Sequence, residues 1–307
     1  MRSRLLAAAL LGFLGLAPAL LLGCRGEAPS SGDAPEKAAA AAPRRIIALT
    51  PSVTETLFAL GLGDRVVGVG DYDHWPPEVN QKPRLGGLFN PNLEKIVALK
   101  PDLAVLIPSE KDLGEKLARF GVDTLTVQNE SVADVEKTSV LIAERCGVPA
   151  AGRRLAAEMT AALAPRSLPG GAHPKVMISV GRPAGRLADV TVAGPGTFFD
   201  ELVTRLGGVN AFADSPTKYP QVPLEEIVAR SPEIILELRA DPLPADRIEE
   251  LRRDWTALPQ VGAVRTGRVE VLASDYAVIP GPRMPLLYKD LEAALSRPPR
   301  PILGVGK

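Results

Sequence analysis

The sequence predicts an α/β protein in which two similar lobes, each with a parallel sheet, are joined by a single long helix. Three observations lead to this prediction: short apolar strands alternate with helices, the alternation occurs twice, and an alanine-rich stretch separates the two copies. Such alternation is typical of parallel sheets flanked by helices. A chain of 307 residues is long enough for two moderate lobes with their own cores.

Residues 1–23 are predicted to be a lipoprotein signal peptide. Arg2 and Arg4 precede an apolar run from Leu5 to Leu22, which ends in Leu-Leu-Gly before Cys24. This order resembles an export signal with a lipobox, in which the cysteine receives diacylglycerol. The alternative is an uncleaved membrane anchor, since the run is about long enough to span a bilayer. Both interpretations place the folded part outside the cytoplasm, in the cell envelope.

Residues 24–43 are predicted to form a flexible tether. The segment consists of Ala, Pro, Ser, Gly and scattered charges without apolar periodicity. Such a composition cannot bury enough surface to offset the entropy lost on ordering. A tether of this kind would hold the folded body near the membrane, at a high effective concentration for a membrane partner.

The N-terminal lobe is predicted over residues 44–148. A short buried strand is followed by a helix in which Ser52 and Glu55 have the spacing of a capping box. A later helix can be capped by Asn90 or by Asn92, and a further strand follows it.

The C-terminal lobe is predicted over residues 173–307, because two segments of the first lobe recur there in the same order. Leu93–Pro101 and Leu224–Pro232 share Leu, Glu, Ile, Val, Ala and Pro at identical offsets. Glu55–Gly61 similarly resembles Glu201–Gly207. Two matching pairs of segments in the same order favour a duplicated architecture. The alternative is that connections between helices and strands often have similar sequences.

Residues 149–172 are predicted to be the linking helix. Pro149–Leu163 is rich in Ala, Arg and Leu, which favour a helix without many packing partners. One long helix between two α/β lobes would form a stiff hinge. We expect a ligand to bind between the lobes, beyond the carboxyl ends of the strands.

The loops that follow the strands would line the space between the lobes. They contain three of the four tyrosines and one of the two tryptophans, and flat aromatic walls with a few polar groups suit a large ring ligand or an aromatic chelate. For Trp75 the alternative role is packing of its turn, and for Arg283 it is bracing of the loop before the last helix. The candidate ligand-binding residues are Ser52, Tyr72, Trp75, Phe89, Thr197, Tyr219, Asp275, Tyr276 and Arg283.

Glu94 and Glu225 occupy equivalent positions in the two repeats, each in the first turn of a helix. The helix dipole stabilises a carboxylate there by about 0.3–1 kcal/mol, which is a sufficient structural reason for both residues. A symmetric pair is also what docking onto a two-fold symmetric membrane partner requires, since arginines of that partner could form a salt bridge with each lobe.

Composition and motifs exclude several functions. The 36 Lys and Arg residues balance the 36 Asp and Glu residues, so a nucleic-acid partner is not expected. We find no GxSxG elbow, P-loop or complete dinucleotide fingerprint, and therefore expect neither an enzyme nor a cofactor. We expect no metal site, because His74 and His173 lie far apart and no CxxC spacing occurs. If Cys24 is lipidated, Cys146 has no disulfide partner.

The segments of the two predicted lobes resemble the helical-backbone periplasmic binding proteins, which serve ABC importers for cobalamin, ferric siderophores and haem. The resemblance covers nearly all of the chain from Arg45 to Ala294 and is strongest in Arg45–Glu55, Asn92–Leu103 and Val228–Pro232. It implies two Rossmann-like lobes joined by one long helix, with limited closure on the ligand. It also implies that Glu94 and Glu225 engage arginines of an ABC permease dimer, which works with its ATPase subunits.

Within this family the sequence is most similar to the cobalamin-binding branch, in Tyr72–Pro77, in Gln221-Val222 before Glu225, and from Ser274 to Arg283. The resemblance implies a protein that captures cobalamin or a related corrinoid, and the lipobox-like leader before Cys24 predicts that it is lipid-anchored. The ferric siderophore and haem branches share the scaffold and are alternatives, as is a receptor without a transporter. By this resemblance the residues lining the corrin site would be Tyr72, Trp75, Phe89, Tyr219, Asp275 and Arg283. The chain departs from the branch where tryptophans of the cobalamin binder are replaced by Phe89, Tyr219 and Tyr276.

Overall fold

The computed structural model describes residues 42–302. The predicted signal peptide, the lipidation site at Cys24, nearly all of the predicted tether and the last five residues lie outside this range. Within it, no helix combines the length and the apolar character needed to cross a membrane.

The first half of the folded body, residues 42–148, is built on a four-stranded parallel sheet. Its elements are, in chain order, β1 (Ile46–Ile47), α1 (Pro51–Ala59), β2 (Val66–Gly68), β3 (Gly86–Gly87), β4 (Asn90–Pro91), α2 (Leu93–Ala98), β5 (Leu103–Leu106), α3 (Lys111–Ala118), β6 (Asp123–Thr126) and α4 (Val132–Arg145). The sheet order is β2-β1-β5-β6, while β3 and β4 pair with each other in antiparallel orientation. Apolar side chains on both faces of the sheet form two clusters of the core, as expected for a parallel sheet covered by helices.

The second half, residues 163–302, follows a connecting helix, α5 (Pro149–Ala162). Its elements are β7 (Lys175–Gly181), β8 (Val190–Val192), α6 (Phe198–Arg205), β9 (Val209–Asn210), β10 (Gln221–Val222), α7 (Leu224–Arg230), β11 (Ile234–Arg239), α8 (Ala245–Asp254), α9 (Gly262–Thr266), β12 (Val269–Ala273) and α10 (Met284–Ser296). Strands β9, β7, β11 and β12 run parallel, whereas β8 is antiparallel to both β7 and β10.

The α/β fold class is confirmed, and the antiparallel strands of the second sheet are an addition that the sequence pattern does not predict. The two-residue β9 pairs with only the start of β7, so the far end of β7 is free to pair with β8. A short return from β7 to β8 suffices, because antiparallel neighbours need no crossover helix.

The two halves repeat each other in strand order and in backbone detail. The order β2-β1-β5-β6 of the first sheet corresponds to β9-β7-β11-β12 of the second. Gly61 and Gly207 end equivalent helices with φ of 75° and 85°, a conformation that glycine adopts without steric cost. Lys100 and Ser231, each before the equivalent proline, have φ of 47° and 41°. These correspondences support the duplicated architecture.

The connecting helix α5 joins the two halves through its side chains. It has 14 residues and is therefore about 21 Å long. Ala151 packs on the core of the first half, Met159 and Leu163 belong to the core of the second, and Leu155 contacts both. Helix α4 packs against α5 and also contributes side chains to the cores of both halves. The two halves are therefore connected by a packed pair of helices.

The linking helix is shorter than the predicted range of residues 149–172. It ends at Ala162, and the residues that follow contain only a single 3-10 turn at Pro169–Gly171. Pro165 disfavours a helical conformation for the residue before it. Gly170 and Gly171 both have positive φ, which ends any continuation of a right-handed helix.

Of the N-terminal caps predicted for α1 and α2, the structure confirms the one on α2 and contradicts the one on α1. Asn92 caps α2, because its side-chain oxygen accepts a hydrogen bond from the Lys95 amide at 2.9 Å. The predicted capping box of Ser52 and Glu55 is wrong: the N-cap of α1 is Thr50, two residues earlier than Ser52, and no side chain caps the helix. Both side chains instead make contacts with residues distant in sequence, which places them at the site described next.

Candidate functional site

A cavity of about 440 Å³ lies between the two halves, where the strands of both sheets end. The first half contributes the start of α1 and the loops after β1, β2 and β6, and the second half contributes the loops after β11 and β12. This volume falls in the range of small-molecule sites, about 300–1,000 Å³. Its lining residues are Thr50, Pro51, Ser52, Glu55, Tyr72, His74, Trp75, Asn129, Ala240, Asp241, Asp275, Val278, Ile279, Pro280 and Arg283.

A second cavity, of about 310 Å³, adjoins the first one. The two share Asn129, Val278 and Pro280 and therefore adjoin along these residues; together we call them the cleft between the halves. Tyr219 and Phe198 line the second cavity from the second half of the chain. The cleft therefore has aromatic side chains at both ends.

The loop after β2 is held in place by a buried carboxylate. Asp73 Oδ2 accepts hydrogen bonds from Thr54 Oγ1 at 2.7 Å and from the Gly70 amide at 2.8 Å. Arg84 donates to the main-chain oxygens of Gly70 and Asp73 and closes the loop from the other side. Tyr72 lies next to this anchor, is 70% exposed and lines the 440 Å³ cavity.

Burial raises the pKa of the Asp73 carboxyl to about 6, although the hydrogen bonds from Thr54 and Gly70 and the charge of Arg84 oppose the shift. Because the folded pKa lies above the unfolded one, the folded state binds more protons between about pH 4 and pH 6. We therefore expect this carboxyl to reduce the free energy of unfolding by about 3 kcal/mol as the pH rises through that window.

The Asp73→Asn variant is expected to lack this loss of stability. Urea unfolding at pH 4.5 and at pH 7.5 measures it, with Asp71→Asn as the control, because Asp71 is an exposed residue of the same loop. An equal change with pH in wild-type protein and in Asp73→Asn would contradict the assignment.

Arg283 is the centre of an ion-pair cluster at the wall of the cleft. Its Nε and Nη2 donate to the two carboxylate oxygens of Glu55 at 3.0 and 2.6 Å, and its Nη1 lies 2.9 Å from Asp275 Oδ2. The guanidinium carbon lies 5.0 Å from the ring centroid of Trp75 and 5.5 Å from that of Tyr276. Burial raises the pKa of Glu55, while the hydrogen bonds and charge of Arg283 oppose this shift.

Six of the nine candidate ligand-binding residues line the cleft. Ser52, Tyr72, Trp75, Asp275 and Arg283 line the larger cavity, and Tyr219 lines the smaller one. Ser52 is buried, and its hydroxyl accepts a hydrogen bond from Asn129 Nδ2 at 3.0 Å.

The other three candidates line neither of these cavities. Thr197 is fully buried and caps α6, since its hydroxyl accepts a hydrogen bond from the Asp200 amide. Tyr276 donates its hydroxyl proton to Asp290 at 2.7 Å. Phe89 is 93% exposed at the turn between β3 and β4.

Asn129, Asp241 and Ile279 line the cleft but are absent from the sequence candidates. Asn129 follows β6 and Asp241 follows β11, so the rule that ligands lie beyond the carboxyl ends of strands could have identified both. The partnership of Glu55 with Arg283, 228 residues away, carries no local sequence signal.

The charge of the larger cavity is predominantly acidic. Three carboxylates, Glu55, Asp241 and Asp275, face one guanidinium, that of Arg283. Within residues 42–302 no group of three or more His, Cys, Asp and Glu side chains is arranged to hold a metal ion. The arrangement suits a ligand with a large apolar ring surface and without excess negative charge.

Glu94 and Glu225 lie outside the cleft, in the first turns of α2 and α7. Both side chains are exposed. In the part of the chain that the structure describes, neither carboxylate has an ion-pair partner or a side-chain hydrogen bond.

Comparison with known proteins identifies the family. A model of the periplasmic binding protein family matches residues 46–276. An uncharacterized ABC transporter substrate-binding lipoprotein of Bacillus subtilis, YvrC, is 31% identical over 252 residues, covering 79% of this chain and 76% of the relative. The vitamin B12-binding protein of Vibrio cholerae is 29% identical over 244 residues, covering 78% and 84%.

A solved structure extends the comparison to the fold. A possible iron-binding, periplasmic solute-binding protein of Staphylococcus epidermidis superposes with a TM-score of 0.70 at 25% identity, over 83% of this chain and 99% of that protein. These relatives are binding proteins and not enzymes, as the motif content of the sequence predicts for this chain. The chain therefore belongs to the periplasmic binding protein family, whose members bind their ligands outside the cytoplasm.

Proposed function

We propose that this protein is a lipid-anchored substrate-binding protein of an ABC importer, which captures cobalamin or a related corrinoid and delivers it to a permease dimer with its ATPase subunits. The observation that carries the proposal is the cleft between two repeated halves, with aromatic side chains from both. Tyr72 and Trp75 come from the first half, and Tyr219 comes from the second.

The shape of the cleft supports a large, flat ligand. Aromatic rings contribute apolar contact area and stack on planar ligands. The two adjoining cavities, of about 440 and 310 Å³, extend along the space between the halves. The 29% identical relative named vitamin B12-binding protein supports a corrinoid as the ligand.

The charge of the cleft favours a corrinoid over haem. Haem carries two carboxylates, and many ferric siderophores are anionic. Such ligands would face Glu55, Asp241 and Asp275 with only Arg283 to balance them, and Arg283 is already paired with two of these residues. Like charges brought together in a binding site reduce affinity and thereby exclude a ligand. Cyanocobalamin has no net charge and avoids this repulsion.

Two features outside the cleft support delivery to a membrane transporter. The lipobox-like sequence before Cys24 and a relative named as a lipoprotein support a lipid anchor. Exposed Glu94 and Glu225 occupy equivalent positions in the two halves and are free to pair with basic residues of a two-fold symmetric permease.

The proposed ligand can be tested by calorimetric titration of residues 44–307 with cyanocobalamin, haemin and ferrichrome. We expect one cyanocobalamin to bind per chain, at least about 100-fold more tightly than haemin, because the carboxylates of the cleft repel those of haem. Binding of haemin or ferrichrome without binding of cyanocobalamin would reassign the protein to another branch of the family.

A further inference from the structure

The Glu55–Arg283 ion pair connects the two halves of the molecule. Glu55 lies in α1 of the first half, and Arg283 immediately precedes α10 of the second. The pair is bidentate, and the side chains are only 3% and 11% exposed, respectively. By contrast, Lys218 and Glu130, which also pair across the halves, are 3.5 Å apart with side chains 49% and 39% exposed.

All three guanidinium nitrogens of Arg283 lie close to carboxylates of the protein. Nε and Nη2 donate hydrogen bonds to Glu55, and Nη1 forms an ion pair with Asp275. The planar guanidinium presents its donors in a fixed fork, so it cannot turn toward a ligand without breaking these bonds. Its two faces are left for contact with aromatic rings, and the ring of Trp75 lies 5.0 Å away.

Glu55, Trp75 and Arg283 also separate two cavities. All three line the 440 Å³ cavity of the cleft, and all three line another cavity of about 560 Å³. The other residues that line the 560 Å³ cavity come almost entirely from the first half, and they include Phe58 and Pro76. The three side chains therefore form a wall with one cavity on either side.

We infer that the Glu55–Arg283 pair is a strut between the halves that holds Trp75 in place as this wall, so that Arg283 is a positioning residue and not a direct ligand contact. The effect of this strut on affinity rests on the proposed function, because it requires Trp75 to face the ligand in the cleft.

The position of Trp75 can be tested in the absence of any ligand. The emission of Trp75 in the full-length protein is obtained by subtracting the spectrum of the matching Trp75→Phe protein, which leaves Trp255 as a common background. We expect Glu55→Gln to shift the Trp75 emission to longer wavelength and to raise its quenching by acrylamide at least about twofold, because the ring loses its fixed cation.

Glu270→Gln is the matched control, because Glu270 is also buried and paired with an arginine, Arg297, but within one half. It should leave the Trp75 emission unchanged. If Glu55→Gln leaves an unpaired buried charge and does not fold, Glu55→Gln/Arg283→Met removes both charges and should release Trp75 in the same way. If Trp75 has the same emission and quenching in the folded Glu55 variant as in the wild-type protein, the ion pair does not hold Trp75 in place and the inference is wrong.

Ligand binding then separates the strut from a direct contact. With cyanocobalamin as the probe, we expect Glu55→Gln and Arg283→Met to weaken binding by the same factor, about tenfold, and the double variant to weaken it no further. Weaker binding in Arg283→Met with wild-type affinity in Glu55→Gln would instead make Arg283 a ligand contact. If the wild-type protein does not bind cyanocobalamin, the proposed ligand is wrong. The fluorescence measured without ligand still tests whether the Glu55–Arg283 pair holds Trp75 in place.

Discussion

Replacement of Trp75 by alanine is expected to weaken cyanocobalamin binding by about 30- to 100-fold, which corresponds to about 2–3 kcal/mol. The indole is an aromatic side chain at the edge of the cleft and part of the wall toward the 560 Å³ cavity. Its removal therefore deletes the ring that faces the ligand and opens the cleft to a second compartment. Calorimetric titration of the Trp75→Ala protein measures the change.

Two further variants make this result specific. Trp75→Phe keeps an aromatic ring and should retain most of the affinity. Phe120→Ala removes an aromatic side chain that is 56% exposed at the end of α3, outside the cleft, and should bind as wild type. Equal affinities of Trp75→Ala and Phe120→Ala would remove Trp75 from the binding site.

Charge reversal of both Glu94 and Glu225 to arginine is expected to abolish ligand uptake by cells while the affinity of the purified protein stays unchanged. Both carboxylates lie outside the cleft, exposed and without a side-chain partner among residues 42–302. In the proposed docked complex each new arginine would face basic residues of the permease, and like charges across an interface prevent docking. Uptake of radiolabelled cyanocobalamin by a strain that carries only the variant measures the effect.

The control for this prediction also reverses one exposed glutamate in each half. Glu115 in α3 and Glu250 in α8 line neither cavity of the cleft, and among residues 42–302 each pairs with a lysine or arginine of its own helix. Their reversal to arginine should leave uptake intact. Loss of ligand binding in the Glu94/Glu225 variant would mean that these residues shape the cleft, and normal uptake would show that delivery does not depend on the two carboxylates.

Local sequence patterns predict most of the fold because helix and strand formation depends on neighbouring residues. The two segments beginning at Leu93 and Leu224 both form helices that end before an equivalent proline. The pairing of β8 with β7 was not predictable in this way, because it depends on how much of one edge of β7 the short β9 leaves free. Pro165 and Gly170 are local signals for the end of α5, which lies at Ala162. The predicted helix was too long because it gave more weight to the alanine-rich composition than to these two residues.

The candidate site was predictable where it depends on position along a strand and unpredictable where it depends on distant partners. Tyr72 and Trp75 follow β2, and Asp275 follows β12, so the end-of-strand rule located them. Ser52 and Glu55 have the local spacing of a capping box, but Glu55 binds Arg283, which only the folded chain brings near. Thr197 follows a strand as well, yet its hydroxyl satisfies the first turn of α6 and is fully buried.

The most direct test of the account is a crystal structure of the protein with bound cyanocobalamin. We predict a single corrinoid between the two halves, with its ring against Tyr72 and Trp75 of the first half and Tyr219 of the second. A corrinoid that occupies the 560 Å³ cavity behind Trp75, or any surface formed by one half alone, would contradict the account.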